Sequence, residues 1–170
     1  MMDAQLPRAG PACLAILRIA IGLLWIQNVA WKLPPDFGRG TKSGLFLFTG
    51  YAVEYPVLAP WAWFVKTLVL PNFVFFGWLT LLVEAGLGAF LLVGLATRLW
   101  ALIGVAQTLA ITLSSLNAPH EWHWTYFLML LAHLVIFGTA AGRYWGVDGV
   151  LRAVWSRGSD PVSRLLARVS

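Results

Sequence analysis

The chain has 170 residues, 59% of them hydrophobic and 11% charged, with a mean hydropathy of +0.75; these values exclude an ordinary soluble domain and read as an integral membrane protein. The net charge of +5 does not point to nucleic acid, because the basic residues fall at the ends of apolar stretches rather than on a soluble face with stacking aromatics. Cys13 is the single cysteine, which rules out a disulfide framework or a dithiol redox centre within one chain.

Four apolar segments reach the roughly 20 residues that a membrane span requires: 11–33, 72–95, 99–117 and 124–141. The predicted fold is an all-α integral membrane protein, a four-helix bundle over residues 1–148 followed by a basic tail over 149–170. Pro11 suits the first turn of helix one and Pro34-Pro35 ends it, since proline lacks a backbone donor and restricts the residue before it. The stretch lacks a small-x-small cleavage site and is longer than a signal core, so it reads as a retained helix. Its face Arg18, Gly22, Trp25, Val29 and Lys32 offers a cation near each end and a bulky ring between.

The connecting segment 34–71 is no ordinary polar loop, for it carries two apolar, aromatic runs with Trp61 and Trp63 beside Pro60. It is expected to lie at headgroup depth or to dip back as a lid over the bundle. Helices two and three join by a tight turn at Ala96-Thr97-Arg98, which makes them antiparallel neighbours. With four spans both termini share one side. That side collects Arg8, Arg18, Arg98, Arg143, Arg152, Arg157, Arg164 and Arg168, against Lys32, Arg39, Lys42 and Lys66 opposite. The positive-inside rule then places both termini in the cytoplasm, with the chain in the inner (plasma) membrane. Val162, Leu165, Leu166 and Val169 recur at helical intervals among arginines, as in an amphipathic helix lying on a surface.

Ionisable groups inside spans are costly and are candidates for function. On helix two Gly77, Thr80, Glu84 and Gly88 share a face whose small residues admit another backbone, so Glu84 is expected to point into the bundle. Arg18 either pairs with Glu84 or snorkels to the interface; at 1.5 Å per residue it lies about 10 Å in from Pro11, and Glu84 about 21 Å from Arg98. Gln107 and His133 fall at similar depth. His133 shares its face with Tyr126, Met129 and Phe137, a setting that suits a flat aromatic head such as a quinone; the plainer alternative is a core histidine bonded to Gln107 or a carbonyl. The loop His120-Glu121-Trp122-His123 contains metal-ligand types but matches no strong motif, so no metal site is assigned. A haem is disfavoured because His133 has no second axial histidine at its depth, and no nucleotide-binding or flavin motif is evident.

Three stretches carry a family resemblance. They are Leu17-Arg18-Ile19-Ala20-Ile21-Gly22 with Lys32; Glu84-Ala85-Gly86-Leu87-Gly88 with Gly94-Leu95-Ala96-Thr97-Arg98; and Gly142-Arg143-Tyr144-Trp145-Gly146-Val147-Asp148. Together these resemble the DoxX and DoxD membrane families, the aromatic outer segment favouring DoxD, the small subunit of thiosulfate:quinone oxidoreductase. The resemblance implies oxidation of thiosulfate with electrons passed to quinone as acceptor, and a second oxidoreductase subunit as partner. On that reading Glu84, His133 and Arg18 are the catalytic candidates, Gln107, Tyr126, Met129 and Trp25 contact quinone, and Lys32, His120 and His123 meet the sulfur anion. Arg39, Lys42 and Lys66 could attract it. The competing classes are a non-enzymatic membrane organiser for a redox or stress-response partner, a homo-oligomer included, and a proton-coupled transporter.

Overall fold

The computed structural model describes residues 9–158 and 160–170; Arg8, counted above among the basic residues, lies outside them. No strand occurs among the described residues. The helices are α1 (Ala9–Val29), α2 (Gly44–Glu54), α3 (Ala59–Phe64), α4 (Phe73–Val93), α5 (Thr97–Ser115), α6 (His123–Thr139), α7 (Val147–Trp155) and α8 (Pro161–Val169), with a π-helical turn at Val65–Val69 and a 3₁₀ turn at Ala141–Arg143.

Three of these, α1, α4 and α5, are long and apolar enough to cross a membrane. The expected fourth span is represented by α6, whose 17 residues rise about 26 Å, short of the roughly 30 Å hydrocarbon core. The four long helices pack in a ring, α1 on α4, α4 on α5, α5 on α6 and α6 back on α1. Their outward faces are apolar, with Leu23, Leu82, Leu102 and Leu131 all exposed, as lipid contact requires.

In lipid, helix association depends on close packing rather than on expulsion of water. The α1–α4 contact is the tightest because glycine meets glycine: a Cβ on Gly22 would stand 2.8 Å from Leu92 N and 3.1 Å from the Gly88 carbonyl oxygen. Around this seam Ile21, Trp25, Leu87, Leu91, Ala101 and Ile136 form the core.

Segment 34–71 is helical over much of its length and folds over one end of the ring. Phe37 tucks beneath Leu45 and Phe73, held where Gly77 has no side chain; a Cβ there would overlap the Phe37 ring. Ala52, Val65 and Val69 make a second small core. The Trp61 indole donates to Ser114 Oγ at 3.0 Å and the Asn117 amide to the Pro56 carbonyl at 3.0 Å, which fixes the segment to α5.

The opposite end holds the start of α1 together with α7 and α8. α4 stops at Gly94, φ +71°, and α5 starts after Ala96, φ +48°, so the tight turn passes through two left-handed residues, the alanine at a cost of about 1–2 kcal/mol. Asp148 holds this turn: its carboxylate accepts from Ala96 N at 2.7 Å and Thr97 N at 2.8 Å, capping α5, while its own N–H donates to the Gly94 carbonyl at 2.8 Å. Beyond it α7 leads to α8, which returns alongside α5, where Arg98 Nη1 donates to the Arg168 carbonyl at 3.3 Å.

Candidate functional site

Beneath the folded segment lies a cavity of about 760 Å³, within the roughly 300–1,000 Å³ usual for small-molecule sites. Its walls are mainly apolar and aromatic, among them Leu45, Phe64, Phe73, Phe76 and Val83, with polar groups at Thr80, Glu84, Gln107, Ser114 and Tyr126.

Glu84 is fully buried and sits where three elements meet. The stripe of small residues on α4 turns it inward, α1 contributes Asn28 and Lys32, and α5 contributes Gln107. Lys32 Nζ lies 2.5 Å from Glu84 Oε2, Asn28 Nδ2 donates to the same oxygen at 3.2 Å, and Gln107 Nε2 donates to Oε1 at 3.0 Å. Lys32 also donates to the Asn28 carbonyl at 2.8 Å and rests 4.2 Å from the centre of the Trp31 ring. The carboxylate therefore has a countercharge and two neutral donors, the condition under which a buried charge is tolerated. Both members of the pair line the cavity.

A second polar group faces the same space. Tyr126, 6% exposed, donates its hydroxyl to Glu121 Oε2 at 2.6 Å, and Glu121 is half-buried at the entrance to α6. Among the lining residues the ionisable ones are Lys32, Glu84, Glu121 and Tyr126.

Other sequence candidates are placed elsewhere. Arg18 does not reach Glu84, nor does it snorkel. It is fully buried and its guanidinium donates to the carbonyls of Leu91 at 2.5 Å, Leu92 at 2.8 Å and Trp145 at 3.1 Å. The two leucine carbonyls are among the last of α4, which lack helical partners, so the arginine caps that helix and, through Trp145, ties it to the segment before α7. His133, also fully buried, accepts from Trp25 Nε1 at 2.9 Å through Nε2, while Nδ1 lies 2.7 Å from the Met129 carbonyl. With Nε2 accepting, the proton is on Nδ1 and the imidazole is neutral with both nitrogens occupied. It packs on Gly104, where a Cβ would overlap the ring, and bonds neither to Gln107 nor into the cavity. Trp25 and Met129 go with it, away from the cavity lining.

His120 and His123 are exposed and outside the lining as well, and among the described residues no cluster of His, Cys, Asp or Glu could hold a metal. On the folded segment Arg39, Lys42 and Lys66 are exposed, and the N–H groups of Gly40 and Gly38 hold the Asp36 carboxyl below the usual carboxylate range.

Sequence reasoning missed Asn28, Thr80 as a lining group, Ser114 and the Glu121–Tyr126 pair. Asn28 was legible, being one turn before Lys32 on helix one. The Glu121–Tyr126 contact spans five residues across a helix start, where 3.6-residue periodicity gives no guide.

Comparison with known proteins adds one finding. Residues 13–161 match the family model described as TQO small subunit DoxD. No curated protein matches the chain. No solved structure matches it either.

Proposed function

The chain belongs to the DoxD family, and from that premise we propose that it is the membrane subunit of a thiosulfate:quinone oxidoreductase-like system in which the cavity takes the quinone. The observation that carries this reading is a cavity with aromatic and aliphatic walls set against a buried carboxylate. A quinone combines a flat ring with carbonyl acceptors and an apolar tail. Aromatic rings such as Phe64 and Phe73 match the ring and tail, and the hydroxyls of Thr80 and, on leaving Glu121, of Tyr126 would supply donors for the carbonyls. When bound, a quinone supplies two-electron acceptor chemistry. The chain's own groups would position the head and provide protons, Glu84 serving as a proton-exchanging group tuned by Lys32 and Gln107.

Lys32 is engaged by Glu84, so the cations left to attract a sulfur anion are Arg39, Lys42 and Lys66 on the folded segment. A second subunit would then carry out oxidation of the anion. With α6 taken as a short fourth span both termini would share one side, and the arginines at that end favour the cytoplasmic face of the inner membrane. Residues 1–148 would form the membrane domain and 149–170 its cytoplasmic tail.

The test is thiosulfate-dependent reduction of decylubiquinone by membranes expressing this chain, compared with Glu84→Gln membranes at equal protein level. Loss of a general acid–base group should lower the rate about a hundredfold. Equal rates in folded mutant and wild type would remove the role of Glu84. No rate above control membranes, together with no binding of decylubiquinone to the purified chain, would overturn the reading in favour of a non-enzymatic organiser.

A further inference from the structure

We propose that Tyr126 and Glu121 form the proton entry to the cavity, Tyr126 donating directly to the ligand oxygen and Glu121 exchanging with water. This rests on the cavity taking a quinone. Quinone reduction to quinol takes two electrons, here from the sulfur donor, and two protons, so the site needs a route for protons as well as a group that holds one.

Glu84 is a poor point of entry. It is fully buried, and all its neighbours are donors that hold it in place: Lys32, Asn28 and Gln107. The Trp25–His133 pair offers no other route, for it does not line the cavity, its bonds are already satisfied and Gly104 packs against it. The other ionisable groups on the cavity wall are Tyr126 and Glu121. These join a buried hydroxyl to a half-exposed carboxylate through a single 2.6 Å hydrogen bond.

The chemistry is balanced. Hydronium from the solvent protonates Glu121 and leaves as water, the bond reverses so that the carboxylic acid donates to the Tyr126 oxygen, and the tyrosine hydroxyl proton passes to the ligand oxygen as the acid proton replaces it; a second pass supplies the second proton. The pair ends each pass as it began, one proton having moved inward. The ring of Tyr126 stays neutral throughout, so no tyrosine oxidation is involved.

The experiment uses the purified full chain loaded with decylubiquinone, isotopically labelled at its carbonyls. Infrared spectra of the bound probe in Glu121→Gln, whose amide donates to the Tyr126 oxygen as the protonated acid would, and in Glu121→Gln combined with Tyr126→Phe should differ by an upward shift of one carbonyl band in the second, because phenylalanine keeps the ring and removes the donor. Reduction of the bound probe with dithionite in a stopped-flow instrument, with a pH dye, then reads proton uptake. At saturating probe Tyr126→Phe and Glu121→Gln should each slow uptake by about tenfold or more, and Glu121→Asp should restore part of the rate. An unchanged carbonyl band and unchanged uptake in both variants would overturn the proposal while the quinone reading stands. Failure of wild type to bind the probe would instead sink the quinone reading itself.

Discussion

At the terminus end of the bundle buried ionisable side chains meet main-chain atoms, whereas at the cavity end they meet one another. Arg18 caps the last carbonyls of α4 and Asp148 caps the first N–H groups of α5, so each satisfies backbone that no helix can satisfy for itself. Gly142 and Gly146 allow this closeness: a Cβ on Gly142 would stand 2.5 Å from Asp148 Oδ2, and one on Gly146 would stand 3.1 Å from the Gly94 Cα. Lys32, Glu84, Asn28 and Gln107 instead form a side-chain network beside open space. A group locked to backbone cannot change partners without unravelling a helix end. A side-chain network beside a cavity can, and that difference separates architecture from candidate chemistry among residues that look alike in the sequence.

Removing Arg18 should be the most damaging single change. Arg18→Met keeps an apolar stem but leaves the carbonyls of Leu91, Leu92 and Trp145 without their donor, at a cost of about 3–5 kcal/mol. Denaturant unfolding in mixed micelles measures it; a loss under 1 kcal/mol would erase the distinction between the two ends.

At the cavity end single and double changes should part company. Lys32→Met strands a buried carboxylate and should cost about 3 kcal/mol, while Lys32→Met combined with Glu84→Gln removes both charges and should recover most of that loss. The same unfolding measurement gives the coupling, and strict additivity would show that the pair is not a unit.

His133→Ala sharpens the boundary between the regions. It deprives the buried Trp25 N–H of its acceptor, for a loss of about 2 kcal/mol, yet it lies outside the cavity lining and should leave decylubiquinone affinity unchanged within a factor of two. A tenfold loss of affinity, read by titration of the purified chain, would bring His133 into the site.

The smallest effect concerns α8, whose first turn is capped by Asp160. The Ser163 hydroxyl at 2.5 Å and its N–H at 2.9 Å hold the Asp160 carboxyl below its ordinary value of 3.8. Because the folded value is depressed, the cap is complete above that ordinary value and is lost as pH falls below it through the folded one. Amide exchange in α8 should therefore quicken below pH 3.8, and an unchanged rate there would show that the cap does not hold the helix.

Several of these features were legible from residues alone. The apolar runs gave the long helices because a backbone in lipid must bond internally, and the small-residue stripe on α4 indicated which way Glu84 faces. The tryptophans of segment 34–71 marked it as either an interfacial stretch or a lid, and packing decided between the two. The roles of Arg18 and His133 were not legible, since a helical face shows what a side chain looks toward but not which partner is closer. Depth counting placed Gln107 beside His133, yet it bonds Glu84, because α4 lies between α1 and α5 in the ring.

Composition and periodicity by themselves determined that this is a helical membrane protein with most basic residues at the ends of its apolar runs, because burial in lipid acts on each segment independently. Tertiary structure alone decided which polar groups became caps and which became a cavity wall. Those outcomes depend on ångström-scale approaches between residues up to 127 positions apart, and the glycines that permit such approaches carry no signal of what will arrive against them.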